Sequence, residues 1–169
     1  MNLETQRLIN RFEEGGALLK YAVCGLSDEH AQARPGPGAW SIAEVTAHMA
    51  DSDLVATDRM KRVIAEDNPI LLAYDENAWI EKLRSNEMPI DESANLFDVN
   101  RRWIARILRR CSEQDFARFG QHSERGRMTL AELLSTYVGH LDNHLKFVYA
   151  KRGNLGVSVV PRYSYNSED

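Results

Sequence analysis

The sequence predicts an all-α protein, a four-helix bundle with a long connection between the second and third long helices. Four long segments repeat apolar residues with a helical period, and no series of residues alternates in the way that half-buried strands do. No internal repeat is visible. In chain order, the four segments cover residues 3–23, 41–66, 91–111 and 130–153.

The second helix has the clearest start signal of the four. Gly25 ends the first helix, because glycine readily adopts the left-handed conformation that follows a helix. Ser41 is followed three residues later by Glu44, which is the spacing of a capping box. Trp40 and Val45 have the spacing of a hydrophobic staple across the same helix start. We therefore predict that the second helix begins at Ser41.

The third long helix is separated from the second by proline breaks. Pro69 and Pro89 bound the long connection, which contains a short helical candidate over residues 77–84. Five arginines of the third helix, Arg101 among them, largely avoid its apolar face. We expect the buried face to contain Leu96, Phe97, Trp103, Ile104, Ile107, Leu108 and Cys111.

The last helix again begins with a capping box. Residues 120–127 are polar and interrupted by glycine, so a loop is predicted there, with extended structure left open. Thr129 and Glu132 repeat the capping-box spacing, and Gly153 is placed to end the helix. We expect a single helical domain over residues 1–153 and an irregular tail over residues 154–169.

Composition narrows the classes of protein. A chain of 169 residues with 43% hydrophobic and 27% charged residues suits one globular domain. Neither a signal peptide nor an apolar run of membrane-spanning length is present, so we expect a soluble cytoplasmic protein with no membrane partner. The net charge of −4 gives no electrostatic footprint for nucleic acid. The two cysteines form no disulfide-framework pattern.

Three of the five histidines suggest a metal site. His140 and His144 are four residues apart in the last helix, so both rings project from one face and can bind one ion. His48, in the second helix, is the candidate third ligand. His30 and His122 lie in polar segments without an evident partner, and we interpret them as surface residues.

A metal site is not the only interpretation of inward-facing histidines. A single buried imidazole is commonly a hydrogen-bonded core residue, and the HxxxH spacing recurs by chance in helices. Two adjacent buried imidazoles, however, repel each other when protonated and leave polar nitrogens unsatisfied when nothing bridges them. With a third histidine as a candidate ligand, metal binding is favoured over the interpretation as hydrogen-bonded core residues.

Carboxylates near these histidines are candidate catalytic residues. Glu44 precedes His48 by four residues and could orient that ring or act as a base, although its capping role already accounts for it. Asp51 follows His48 by three residues and could line a cavity or be an exposed helix carboxylate. Asp75 and Glu76 could approach the metal site from the long connection.

Three segments carry a family resemblance. They are RPGPGAWSIAEVTAHMADSD at residues 34–53, YDENAW at residues 74–79, and TLAELLSTYVGHLDNHLKFV at residues 129–148. Together they closely resemble the DinB-like superfamily, in particular its bacillithiol S-transferase subgroup. The resemblance extends over nearly the whole chain before the tail, and it implies a four-helix bundle.

The resemblance also implies a set of metal ligands. By motif position, His48, His140 and His144 are the residues that would hold a divalent metal ion, commonly zinc or nickel. Many members of the family have a second histidine directly before the final ligand and a glutamine three residues beyond it. This chain has Asn143 and Phe147 at those two positions. The ligands are thus retained, whereas the residues around them differ.

The ligand set favours catalysis, because three neutral imidazoles leave a coordination position open and the charge of the ion uncompensated. Such a site can stabilise a thiolate or activate water. The resemblance implies the first chemistry: a low-molecular-weight thiol such as bacillithiol attacks an electrophilic substrate. It also implies a homodimer. A metal-dependent hydrolase and a noncatalytic metal- or ligand-binding module remain alternatives, and the module would need a fourth protein ligand.

Overall fold

The predicted all-α four-helix bundle is confirmed by the computed structural model, which describes residues 1–165. Its long helices are α1 (Leu3–Val23), α3 (Ile42–Ala65), α5 (Ile90–Leu108) and α7 (Leu130–Asn154). The short helices are α2 (Asp28–Gln32), α4 (Glu76–Lys82), α6 (Glu113–Ala117) and a 3-10 helix (Ser85–Glu87). Within the described residues, no helix is long and apolar enough to cross a membrane.

The first two long helices lie diagonally across the bundle. Helix α1 packs against α5 and α7, and α3 packs against the same two helices. Helices that follow each other along the chain are more often direct neighbours joined by short loops. Here the chain between α1 and α3 crosses one end of the bundle through α2. As a result α3 and α7, which carry the three histidines, are direct neighbours.

The starts of the second and last long helices agree with the predicted capping boxes. The end of the last helix differs from its predicted position. The Ser41 hydroxyl accepts from the backbone N–H of Glu44 at 3.0 Å, and the Glu44 carboxylate accepts from the backbone N–H of Ser41 at 2.8 Å. The predicted box at Thr129 is also present. The prediction that Gly153 ends the last helix is wrong, since this residue is helical and Gly156 takes the left-handed conformation with φ 73°.

A small three-stranded sheet forms where the sequence predicted no strand series. Strand β1 (Ile70–Leu71) pairs in parallel with β2 (Phe119–His122), which pairs antiparallel with β3 (Gly126–Thr129). The loop predicted over residues 120–127 is therefore a β-hairpin. Strands of two to four residues are too short to show a period in the sequence. The sheet joins the two long connections of the bundle.

The interior is divided into two apolar clusters by a polar layer. The hairpin-side core lies near the sheet and includes Phe12, Met60, Ile104, Leu130 and Val138. The tail-side core lies at the other end and includes Leu19, Met49, Phe97, Leu145 and Tyr149. Between them along the helices lie the residues that we call the polar layer: Ser52, Asp53, Asn100, Arg101 and His140. The four long helices therefore enclose polar groups at the middle of the bundle, between the two apolar clusters.

Arg101 is the centre of the polar layer, although the sequence analysis placed it away from the buried face. Its side chain is fully buried, and its Nε donates to Asp53 Oδ1 at 2.9 Å. Its other donors reach the carbonyls of Phe12 at 3.1 Å and Tyr137 at 2.8 Å. Asn100 donates to the second carboxylate oxygen of Asp53 at 2.8 Å. One guanidinium therefore connects all four long helices.

The outer face of α5 also departs from the prediction. Leu96 and Trp103 were expected in the core, but they are 46% and 57% exposed. Both lie on the far side of the helix from Arg101, which takes up interior space that an apolar side chain would otherwise fill. With Val99, they form an exposed apolar stripe on α5.

The described part of the tail lies against the bundle. Residues 155–165 form no helix or strand. The Tyr149 hydroxyl donates to the carbonyl of Arg162 at 3.1 Å, and the Asp142 carboxylate accepts from the backbone N–H of Ser164 at 2.8 Å. The rest of the predicted irregular tail, residues 166–169, lies outside the described residues.

Removing the guanidinium of Arg101 is expected to destabilise the bundle strongly. Arg101→Met leaves the Asp53 carboxylate buried without its partner, and such a loss costs about 3–5 kcal/mol. Arg102→Met is the matched control, because Arg102 is exposed and its ion pair with Asp98 lies at the surface, where pairs contribute at most about 1 kcal/mol. Urea unfolding measures both. Equal losses in the two variants would contradict the role assigned to Arg101.

A glycine of α1 makes room for the same guanidinium. A Cβ atom on Gly15 would overlap Arg101 Nη1 and approach Leu141 Cδ2 to 2.6 Å. We expect Gly15→Ala to lower the free energy of unfolding by about 1–3 kcal/mol. Gly139→Ala should instead raise it by about 0.5–1 kcal/mol, since a Cβ there meets nothing within 4 Å. Urea midpoints that move in the same direction would contradict this explanation.

Candidate metal centre

The bundle brings together the three histidines that the sequence singled out. His48 projects from the second turn of α3, while His140 and His144 project from one face of α7. Each ring offers a nitrogen, and these nitrogens all lie within 4.8 Å of one another. Their convergence follows from the direct packing of α3 against α7.

The spacing of the ring nitrogens suits a shared ion. His140 Nε2 lies 3.3 Å from His48 Nε2 and 3.1 Å from His144 Nε2. Two nitrogens bound to one zinc ion at a near-tetrahedral angle lie roughly 3.3–3.4 Å apart. Two of the three pairs therefore already have the separation of ligands of one ion, and the third pair lies within 4.8 Å.

Hydrogen bonds among the rings cannot satisfy this cluster. A neutral imidazole nitrogen carries either one proton or one lone pair, so His140 Nε2 cannot form full hydrogen bonds with both neighbours. The Nδ1 atoms of His140 and His144 are buried and have no hydrogen-bond partner among the described residues. A cation shared by three lone pairs would satisfy the inward-facing nitrogens, so the donor set fits a divalent metal.

All three imidazoles are neutral at physiological pH. Burial lowers the pKa of His48 from 6.5 to about 4 and that of His144 to about 4. Burial and the neighbouring His144 and His48 rings lower the pKa of His140 to about 3. An imidazole binds a metal ion through the lone pair of a ring nitrogen, and a protonated imidazole has no free lone pair. The electrostatics of the site thus favour metal binding over protonation.

Aromatic rings surround the triad, and the sequence analysis missed the contribution of Trp40. Its indole is nearly parallel to the His144 ring, with an interplanar angle of 7° and centroids 6.4 Å apart, and lies 5.1 Å from the His48 centroid. The sequence analysis assigned Trp40 only to a hydrophobic staple. The sequence signal for this contact was the position of Trp40, about two helical turns before His48. Phe147 lies on the other side of His144, with centroids 6.1 Å apart.

The long connection brings one of its two predicted carboxylates to the triad. Glu76 Oε2 lies 3.9 Å from His48 Nε2, and the Glu76 side chain is 54% exposed. Asp75 instead caps α4, where its carboxylate accepts from the backbone N–H of Ala78 at 2.9 Å. Tyr74 packs on Trp79 with ring centroids 4.4 Å apart. Glu76 is thus the acidic residue at the exposed edge of the site.

The two candidate catalytic carboxylates lie elsewhere. Glu44 is buried in its capping box and accepts hydrogen bonds from the guanidinium of Arg34. Burial alone would raise the pKa of Glu44, but the hydrogen bonds from Arg34 and Ser41 hold it below its usual range. Asp51 is half-buried, which raises its pKa. Neither carboxylate oxygen comes within 4.0 Å of the three rings, so their catalytic roles stay predictions.

Asp51 belongs to a feature that we call the apolar groove. This groove has a volume of about 710 Å³ and runs between α3 and the long connection. Its apolar lining includes Leu54, Val55, Ile70, Leu72, Tyr74 and Trp79. Tyr74 also lines the space beside the triad, so the groove and the triad are neighbours.

A second space, the polar cavity, lies directly beside His140. It has a volume of about 140 Å³, and its lining includes Arg59, Tyr74, Glu76, His122, Arg125 and His140. His122 was interpreted as a surface residue, but it is only 7% exposed. Its Nδ1 accepts from the backbone N–H groups of Glu124 at 3.2 Å and Arg125 at 3.3 Å. The unforeseen hairpin buries this ring.

Comparisons with known proteins agree with the resemblance seen in the sequence. Residues 11–148 match the model of the DinB superfamily. A protein of Oceanobacillus iheyensis, provisionally named a metal-dependent hydrolase, is 32% identical over 148 residues, which cover 87% of this chain and 85% of that protein. YfiT of Bacillus subtilis has the same provisional name and is 31% identical over 157 residues, covering 92% and 88%.

The fold of YfiT is also similar. Its solved structure matches with a TM-score of 0.86 and 28% identity, covering 94% of this chain and 91% of that one. YfiT is provisionally described as a metal-dependent hydrolase with an unusual four-helix bundle topology. The family model covers most of the chain and the bundle agrees with it, so this chain belongs to the DinB superfamily.

Proposed function

We propose that this protein is a metal-dependent enzyme whose divalent ion is held by His48, His140 and His144. The observation that carries the proposal is the convergence of three neutral nitrogens, with His140 Nε2 3.3 Å from His48 Nε2 and 3.1 Å from His144 Nε2, at the edge of the polar cavity that His140 lines. Zinc and nickel both accept imidazole ligands. The names of the relatives support metal dependence.

We infer that the reaction is transfer of a low-molecular-weight thiol to an electrophile. A bound divalent cation favours the thiolate form of a thiol, which is its nucleophilic form. Glu44 is held in its capping box and Asp51 lines the apolar groove, and among the described residues neither carboxylate lies within 4.0 Å of a triad nitrogen to act as a general base there. Thiol transfer has less need of such a base, because a metal ion bound at the triad would stabilise the thiolate and the thiol proton would pass to solvent water.

The apolar groove suits the electrophilic substrate. Leu54 and Leu72 give it exposed apolar surface, and the Tyr74 and Trp79 rings, which contact each other at an angle of 42°, form one wall. Apolar and aromatic surface favours binding of an apolar or aromatic molecule. Because Tyr74 borders both spaces, a molecule in the groove would have its reacting end near the triad.

Hydrolysis is the second candidate function. Glu76 lies close enough to His48 to act as a base on water held at the triad, and the relatives are provisionally named hydrolases. The predicted homodimer and cytoplasmic location stay predictions.

Metal binding is expected to depend on the triad and on no other histidine. Untagged protein dialysed against zinc or nickel should retain about one ion per chain, and the ion should raise the melting temperature, because it binds only the folded state. His144→Ala should lose most of the retained metal and the associated increase in melting temperature. His30→Ala is the matched control and should retain both. Retention of the ion by the His144 variant would contradict the proposed ligand set.

Product formation with the thiol is expected to require both the metal and the triad. Bacillithiol, cysteine and glutathione would each be assayed with a haloaromatic electrophile, using metal-stripped and metal-restored protein. We expect conjugation with at least one thiol only in the restored wild-type protein, and a loss of at least about 100-fold in His48→Ala. Metal-dependent cleavage of an ester or amide in the absence of any thiol would instead support the hydrolase.

A further inference from the structure

Arg59 is a buried cation for which the described protein provides no counter-ion. Its side chain is only 7% exposed. Its Nη1 donates to the Tyr137 hydroxyl at 2.6 Å, and its Nη2 donates to the carbonyl of Leu72. Its Nε is buried and has no hydrogen-bond partner among the described residues. Among residues 1–165, no carboxylate forms an ion pair with it.

Two other buried arginines of this protein, in contrast to Arg59, have partners for their guanidinium groups. Arg101 is paired with Asp53. Arg152 has no carboxylate partner, but it donates to the carbonyls of Ala22, Cys24 and Val157. The first two carbonyls lie at the C-terminal end of α1, whose dipole favours a positive charge. Arg59 has neither a carboxylate nor a helix end, and buried charges are normally paired.

Arg59 lines both the apolar groove and the polar cavity, and the polar cavity also contains other donors. Arg59 lines the polar cavity together with Arg125 and His122. Arg125 forms no ion pair with the carboxylates of the described residues. Because His122 Nδ1 accepts two backbone N–H groups, the proton of its neutral ring is on Nε2, which makes that atom a donor.

The acidic residues of the same cavity do not neutralise Arg59. Glu76 and Glu124 also line the cavity, but both are exposed and hydrated. Neither carboxylate comes within 4.0 Å of Arg59 or Arg125 among the described ion pairs. The lining of the cavity therefore includes two arginines, of which Arg59 has a buried Nε–H without an acceptor among the described residues, and a histidine whose Nε2 carries a proton.

We propose that the polar cavity binds a carboxylate group of the ligand whose thiol lies at the triad, with Arg59 and Arg125 as its main partners. A carboxylate provides the missing counter-ion and accepts from both guanidinium groups, which bind carboxylates with matching geometry. A volume of about 140 Å³ admits such a group. His140 lines the same cavity, so the carboxylate and the metal-bound end belong to one small molecule. The part concerning the thiol rests on the proposed function.

The first experiment compares two thiols of similar size on cobalt-loaded protein. The absorbance of a thiolate bound to cobalt would be titrated with 3-mercaptopropionate, which is anionic, and with 2-mercaptoethanol, which is neutral. We expect the anionic thiol to bind at least about tenfold more tightly, as a charged hydrogen-bonded pair would give. Arg59→Gln and Arg125→Gln should each reduce this preference several-fold and leave the affinity for 2-mercaptoethanol unchanged.

Matched controls separate a local contact from a change in net charge. Arg62→Gln removes a charge from the same helix as Arg59, and Arg127→Gln removes one from the same hairpin as Arg125; neither residue lines the polar cavity. Both controls should keep the wild-type preference. Equal affinities for the two thiols in the wild-type protein, or an equal loss in variants and controls, would overturn the proposal. Arg125 is exposed, so its variant tests the cavity even if Arg59→Gln fails to fold.

A second measurement needs no thiol. Propionate would be titrated into the metal-loaded protein while the Nε–H resonance of Arg59 is followed by NMR. We expect a saturable downfield shift that Arg125→Gln weakens at least about fivefold. If neither thiol binds cobalt but propionate gives this shift, the carboxylate site stands and the thiol-transfer proposal fails. If the resonance does not move, the carboxylate site is refuted whatever the thiols do.

Discussion

The ion pair between Arg101 and Asp53 is the contact on which the geometry of the metal centre depends. From α5, the guanidinium reaches the Phe12 carbonyl on α1, Asp53 on α3 and the Tyr137 carbonyl on α7. Asp53 lies five residues after His48, and Tyr137 lies three residues before His140. The pair therefore fixes the two helices that carry the ligands within about one turn of the triad. A buried pair of this kind specifies register more than it adds stability.

Burial keeps the triad neutral, and the charges around it favour an anion. Three imidazoles with pKa values of about 3 to 4 add no charge. The charge of Arg101 is matched by Asp53, whereas that of Arg59 has no carboxylate partner in the described part of the chain. A divalent ion would add two more positive charges close by. The site therefore attracts ligands that carry negative charge, such as thiolates and carboxylates.

The sequence predicted the helices and the triad but not the tertiary contacts around them. Capping boxes and the HxxxH spacing act within one or two turns, so Ser41, Thr129 and the His140 pair could be recognised locally. The burial of Arg101 depends on its ion pair with Asp53, which is 48 residues away in the sequence. Local sequence patterns cannot predict a pairing over that separation. His122 was misplaced for a related reason, because it is buried by a short hairpin whose pairing partner, β1, lies in another connection.

Differences from the family motif fall at the rim of the site. Asn143 is exposed, and Phe147 is 57% exposed with its ring beside His144. An aromatic ring at the position of a family glutamine makes this edge more apolar, and Trp40 does the same on the opposite side of His144. The polar contacts available to a ligand are thereby concentrated on the side of Arg59 and His122. In the proposed function the ion would determine which atom reacts, while the division between an apolar rim and a cationic cavity would determine how the ligand is oriented.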